Sequence, residues 1–248
     1  MVTALPLLGL GRNMIDKTKE YQAVLLCGGK GERLRPLTTD IPKPLIQIKG
    51  KPILGHILEH LDHSGVNEVV ICTGYKSEKI QEYFEHHSEN FNVKLVNSGD
   101  VDIIKRLQEA ARFIKTDFLV LYGDTLSNID LQLMIDFHKK RPEKATISVW
   151  PLRSQFGLME VNNADRVISY KEKPLLDKWI NIGYFYFDYS LIPLMSDFSR
   201  FEDFLQALVT RGELNAYKHL GVHITVNTLK ELEEAEENID NIHVRGAR

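Results

Sequence analysis

"QAVLLCGGKGERLRPLTTDIPKPLI", Gln22–Ile46, sets a short apolar run against a turn rich in glycine, basic residues and proline. The run Gln22–Gly28 is apolar without alternation, is too short for a helix and stops at glycine. It reads as a strand buried on both faces. Gly28, Gly29 and Gly31 then allow close approach of the backbone to a ligand. Arg33 and Lys43 add cations capable of charge-assisted hydrogen bonds, and Pro36 cuts short any helix after the loop. Strands buried on both faces belong to parallel sheets covered by helices, and in such sheets ligands lie at the carboxyl ends of strands. The loop is therefore expected to hold an anion, and the residue types favour a phosphate.

Outward from this stretch, strand-like and helix-like segments alternate. "PILGHILEHLDHSG" reads as a helix that starts at Pro52 and stops at Gly65, and "EVVICTG" as the next strand. "SEKIQEYFEHH" reads as a helix with Ser77 as its N-cap, and "NVKLVNSG" as a strand. "DIIKRLQEAARFI" carries helical spacing at Ile103, Leu107, Ala110 and Ile114. "DFLVLYGD" is a strand that ends in an acid, and "DLQLMIDFHKK" a helix. With "ATISVW", five strands alternate with helices. After Pro151, "FGLMEVN", "RVISYKEKP" and "WINIGYFYFD" follow one another with little helix between. The expected fold is α/β, a mostly parallel mixed sheet covered by helices, with an antiparallel-rich second half. One domain is expected over residues 21–240, after an arm at 1–20 that is loose or makes an oligomer contact, and before a tail at 241–248.

Composition narrows the partners. The 248 residues are 43% hydrophobic and 26% charged, with a formal net charge of −3. That balance gives no global basic field for a nucleic acid polymer or an anionic membrane, so an anion site must be local. No apolar stretch reaches the roughly 18 residues of a membrane span, and the N-terminus lacks the pattern of a signal peptide. Cys27 and Cys72 each close an apolar run and read as buried thiols, which makes a reducing cytoplasm the default location.

Two familiar phosphate loops are excluded. No G-x-x-x-x-G-K-[ST] string occurs, and Gly29-Lys30-Gly31 lacks the third glycine of the dinucleotide fingerprint. "HILEH", His56–His60, formally matches an inverted zinc-protease string. It lies in the short helix after "GKPIL", no third ligand is picked out downstream, and a polar helix face or a subunit contact is the expected role.

G-G-x-G-x-R-L-x-P-L-T followed by P-K-P-L, together with "GKPIL" at Gly50–Leu54, resembles the signature of the sugar-1-phosphate nucleotidylyltransferases. The resemblance runs from Gln22 to about Asn238. Through "YGD", "FGLMEV", "EKP", "INIG" and "GELNAYKH" it is nearest the glucose-1-phosphate cytidylyltransferase branch. It implies a Rossmann-like sheet with a sugar-binding second half, and an enzyme that joins a nucleoside triphosphate to a sugar 1-phosphate and releases pyrophosphate. CTP is the favoured donor, with GTP, dTTP or a non-glucose sugar or polyol phosphate as alternatives. A non-catalytic subunit that senses nucleotide-sugars is the alternative of another class.

By that resemblance Arg33 and Lys43 are the catalytic cations, on the triphosphate and the reacting phosphates. Cys27, Gly28, Gly29, Gly31 and Gly99 meet the nucleotide, and Gly157, Glu172, Lys173 and Asn181 meet the sugar phosphate. Asp124 and Asn227 hold Mg²⁺. Both substrates are the expected partners, with a homo-oligomer as the assembly. Without the resemblance, Asp124 reads equally as a helix cap, Glu172 and Lys173 as a surface ion pair, and Asn181 as a turn residue. Lys30 and Arg35 read as solvated loop charges. The chain departs from the family at Asn227, where an acid is usual, at Glu32, and in the base loop around Asn97–Lys105, where Gly99 is the only glycine.

Overall fold

The computed structural model describes residues 21–87 and 92–243, so the expected arm and the end of the expected tail lie outside it. The opening run forms β1 (Tyr21–Cys27). A small hairpin of β2 (Gln47–Ile48) and β3 (Lys51–Pro52) leads into α1 (Ile53–His63). The alternation continues with β4 (Val66–Thr73), α2 (Ser77–His86), β5 (Asn92–Asn97), α3 (Ile103–Ala110) and β6 (Phe118–Tyr122). After it come β7 (Thr125–Ser127), α4 (Leu131–Lys139) and β8 (Ala145–Arg153). The second half holds β9 (Leu158–Val161), β10 (Val167–Lys171), β11 (Leu175–Phe187), α5 (Ile192–Met195) and α6 (Phe201–Thr210). The last elements are β12 (Leu214–Lys218), β13 (His223–Thr225), α7 (Leu229–Asn238) and α8 (Asp240–His243).

Seven strands make one sheet in the order β12-β8-β11-β6-β1-β4-β5. β1 lies parallel to β4 and β6, β4 to β5, and β12 to β8. β11 alone runs the other way, antiparallel to both β6 and β8. The mixed, mostly parallel sheet expected from the sequence is thus present. Period-two alternation divides β1 between two cores. Ala23, Leu25 and Cys27 face a cluster built with α1, α4 and α7, whereas Val24 faces Val70, Val120 and the α3 and α6 side chains Leu107 and Phe204. Ile242 of α8 is buried in the first cluster, so the start of the expected tail is anchored to the domain. The second half is antiparallel where expected: β9 and β10 form a separate hairpin, and β13 pairs with β7.

Two local expectations are corrected. Ser77 is the first residue of α2, and Lys76, in the left-handed region (φ 51°), takes the cap position. The turn from Gly74 to Lys76 closes through Ser77 N–H on the Gly74 carbonyl at 3.2 Å, which starts the helix early. The Ser77 hydroxyl instead accepts from Asn97 Nδ2 at 2.9 Å. His56, expected on a polar helix face, is buried, with Nε2 3.1 Å from the Ile48 carbonyl, and so ties α1 to β2. Among the described residues no group of three or more His, Cys, Asp or Glu side chains converges on a metal position.

Candidate active site

The glycine loop leaves β1 and turns at Gly31, whose φ of 62° suits glycine. A one-turn helix, Glu32–Leu34, follows and buries Leu34. Thr38 Oγ1 donates to the Gly31 carbonyl at 2.8 Å and fixes the turn. Pro42 and Pro44 flank Lys43, which opens a third one-turn helix after that at Leu37–Thr39 and is buried.

From that position Lys43 Nζ donates to Asp124 Oδ2 at 2.6 Å and to Asn227 Oδ1 at 2.9 Å. Arg33 Nη2 also donates to Asn227 Oδ1, at 3.0 Å. Asp124 lies just past β6, and the preceding Gly123 is pressed on β1: a Cβ there would stand 2.6 Å from Cys27 Sγ. Asn227 arrives from β13, whose pairing with β7 sets it beside Asp124. The Thr228–Glu231 capping box of α7 then holds it, since Glu231 Oε2 accepts from the Asn227 N–H at 2.6 Å. Asp124 caps no helix. The four residues expected to carry charge chemistry, Arg33, Lys43, Asp124 and Asn227, therefore meet.

They line a cavity of about 470 Å³ together with Gly29 and Gly31. Lys30 and Asp100 also line it and pair at 2.5 Å, joining the glycine loop to the loop after β5. Lys30, read as a solvated charge, thus has a partner. Arg35 remains exposed, near Glu32 at 3.8 Å. Cys27 lies beneath the loop rather than in the cavity, and burial pushes its thiol far up, so that it stays protonated. Cys72 in β4 is likewise a buried thiol, pushed up to about 12 by burial.

Gly28 and Gly99 stand at the edge of this constellation, joined by a residue to which sequence reading gave no role. Arg106 donates to the carbonyls of both, at 3.3 and 2.8 Å. A signal existed: Arg106 lies three residues after Ile103, on the α3 face read as apolar.

None of the expected sugar residues lines this cavity. A Cβ on Gly157 would come within 2.9 Å of Glu172 Oε2 and 2.8 Å of the Tyr170 hydroxyl, which donates to Glu172. Glu172 is thus bonded to Tyr170, a residue not singled out from sequence, and not to Lys173. Lys173 has φ 41°, and its carbonyl accepts from Arg153 Nη1 at 3.1 Å. Asn181, on β11, donates to the Tyr122 hydroxyl at 3.3 Å and accepts from the Gly183 N–H at 2.8 Å. Tyr122 ends β6 two residues before Asp124 and so ties Asn181 to the strand end that carries Asp124. Its hydroxyl is pushed up chiefly by burial.

Residues 22–227 match the profile of the nucleotidyl transferase family. The chain belongs to that family. It is 36% identical over 238 residues to the glucose-1-phosphate cytidylyltransferase of Salmonella typhimurium, covering 85% of this chain and 92% of that protein. It is 33% identical over 192 residues to the D-glycero-alpha-D-manno-heptose 1-phosphate guanylyltransferase of Campylobacter jejuni, covering 75% and 85%. A solved UDP-glucose pyrophosphorylase in complex with UDP-glucose superimposes with a TM-score of 0.71 at 17% identity, over 90% of this chain and 99% of that one, a likeness of fold. This nucleotidyltransferase is thus an enzyme of the sugar-1-phosphate class, and the non-catalytic alternative falls away. Among the described residues no helix is long and apolar enough to cross a membrane.

Proposed function

We propose that this nucleotidyltransferase transfers a cytidylyl group from CTP to glucose 1-phosphate, in a Mg²⁺-dependent reaction that yields a nucleotide-sugar and pyrophosphate. The observation that carries the chemistry is the convergence of Lys43, Asp124, Asn227 and Arg33. The substrates are supported by the identity to the Salmonella cytidylyltransferase. A sugar phosphate is largely dianionic at neutral pH, because its second pKa is about 6. Its oxygen can attack the α-phosphorus without a general base, and among the described residues no His or Cys lines the cavity. The burden is electrostatic: two polyanions must meet in line, and positioned charge supplies most of such catalysis. Buried Lys43 neutralises the reacting phosphates, exposed Arg33 grips the triphosphate, and Gly29 and Gly31 bring backbone close to it.

The donor set suits Mg²⁺. Asp124 and Asn227 turn one oxygen each toward a single point, now taken by Lys43 Nζ. One carboxylate and one amide oxygen make an incomplete shell for a hard cation that takes its remaining ligands from phosphates and water. Held by Asp124 and Asn227, the ion would supply positive charge against the phosphates. With one charged ligand, little metal is expected to bind before nucleotide. Activity should be lost in EDTA and return with excess Mg²⁺.

In the second half, Glu172 is proposed to accept from sugar hydroxyls, Lys173 to hold the sugar's phosphate, and Gly157 and Asn181 to shape the pocket. A second reading, GTP as donor, is supported by the identity to the guanylyltransferase. Pyrophosphate release across CTP, UTP, GTP, ATP and dTTP, each with a set of sugar phosphates, tests the proposal. CTP should lead, and a tenfold preference for GTP or dTTP would overturn that choice. A homo-oligomer is supported by the exposed apolar side chains Met159, Val161, Val167 and Ile168 on the β9–β10 hairpin, and light scattering reads it directly.

A further inference from the structure

Arg106 is only 5% exposed, yet among the described residues no carboxylate pairs with it. Its guanidinium bonds three backbone carbonyls from three separate segments. Nη1 donates to Thr73 at the end of β4 (2.9 Å), and Nη2 donates to Gly28 of the glycine loop (3.3 Å) and to Gly99 of the loop after β5 (2.8 Å). A buried cation is tolerated only when hydrogen bonds replace its water, and these three carbonyls supply them in place of a carboxylate. Glycines make the room: a Cβ on Gly28 would overlap the guanidinium, and one on Gly74 would stand 2.9 Å from Nη1.

We infer that Arg106 is a positioning residue that aims two backbone N–H groups at the bound nucleoside triphosphate, an inference that rests on the reading of the cavity as the triphosphate site. In a planar trans peptide the carbonyl and the following N–H point in opposite directions. The Gly28 and Gly99 carbonyls are drawn inward to Arg106, so the N–H groups of Gly29 and Asp100 point the other way. Both of those residues line the cavity. Arg106 therefore turns carbonyl oxygens, which would repel phosphate, away from the ligand and presents donors in their place. One side chain thus bonds both loops, sharing the Gly28 carbonyl with the Tyr75 N–H at 3.3 Å. Lys30 and Asp100 pair above the same two loops, but both are well exposed.

The test uses the purified full chain with Arg106→Met and Arg106→Lys. Steady-state kinetics give separate KM values for triphosphate and sugar phosphate, and calorimetric titration gives the triphosphate Kd. Arg106→Met should raise the triphosphate KM and Kd tenfold or more while the sugar-phosphate KM changes less than twofold. Arg106→Lys retains a cation that can donate to carbonyls but not their fixed fork, and should fall between, at a rise of threefold or more. A part confined to packing would lower thermal stability and leave the triphosphate Kd of the folded variant unchanged, or move both KM values alike; either result overturns the inference. Should Arg106→Met fail to fold, Arg106→Lys decides alone: less than a threefold rise in triphosphate KM overturns it. Triphosphate binding by the unaltered chain tests the cavity's assignment separately. If the unaltered chain binds and the variants match it, only the role of Arg106 falls.

Discussion

Lys43 holds two oxygens that come from distant parts of the chain, and each depends on the same ammonium. Asp124 supplies the only negative charge in that contact. Asp124→Asn is expected to cost on the order of 10²–10³ in kcat, comparable to the loss of one strong transition-state stabiliser. The fold should stay intact, because the side chain is 32% exposed and sits in a turn. Turnover at saturating Mg²⁺, with circular dichroism as control, checks this, and near-normal turnover would remove Asp124 from the site. Glu172 differs in kind: it is exposed, and its bonded neighbour Tyr170 lies on the same hairpin. Glu172→Ala should raise the sugar-phosphate KM by the equivalent of roughly 1–3 kcal/mol, the usual cost of leaving polar partners unpaired, and leave the triphosphate KM nearly unchanged. Equal effects on both would place Glu172 outside the sugar pocket.

At the scale of elements, the sequence spoke clearly where a local pattern has one physical solution. The apolar run of β1 and the glycines after it could form little else than a buried strand and a ligand loop. Alternation of periods then announced the parallel units as far as β8. Silence fell where placement is decided across the chain. The inversion of β11 follows from its fit between β6 and β8, and no periodicity records which neighbours a strand will find. Ser77 had the chemistry of a cap but lost the position to a turn. Arg106 looked like any arginine on an amphipathic helix until three strand ends were gathered around it. The capping box of α7 is a further element whose effect can be measured. Thr228 Oγ1 accepts from the Glu231 N–H at 3.2 Å. Thr228→Ala should cost about 1 kcal/mol of stability, read as a lower midpoint in urea. An unchanged midpoint would mean that packing, not the cap, starts α7.

For the whole molecule, acid stability should depend on the second half. Burial, with His219 nearby as the second cause, pushes the His223 ring down to about 4 from an ordinary 6.5, and burial lowers His219 as well. Between those values the unfolded chain binds a proton that the folded chain refuses. Stability is therefore full above pH 6.5 and declines as pH falls toward 4. Urea midpoints at pH 7 and pH 5 should differ, and His223→Phe should flatten the difference; the same slope in both proteins would acquit His223.

The inverted strand has a last consequence, for the chain while it is being made. β11 is synthesised after both strands that it joins, and Asn227 follows Lys43 by 184 residues. At 5–20 residues per second that separation is roughly ten to forty seconds of translation. A nascent chain that has released β6 but not β11 has an open apolar edge in the middle of its future sheet, the kind of edge that recruits other chains. Ribosome-bound chains stalled before Leu175 should be cut readily by protease within β6, and those stalled well after Phe187 should resist. The pocket that the glycine loop announces at the start is closed by some of the newest residues of the growing chain.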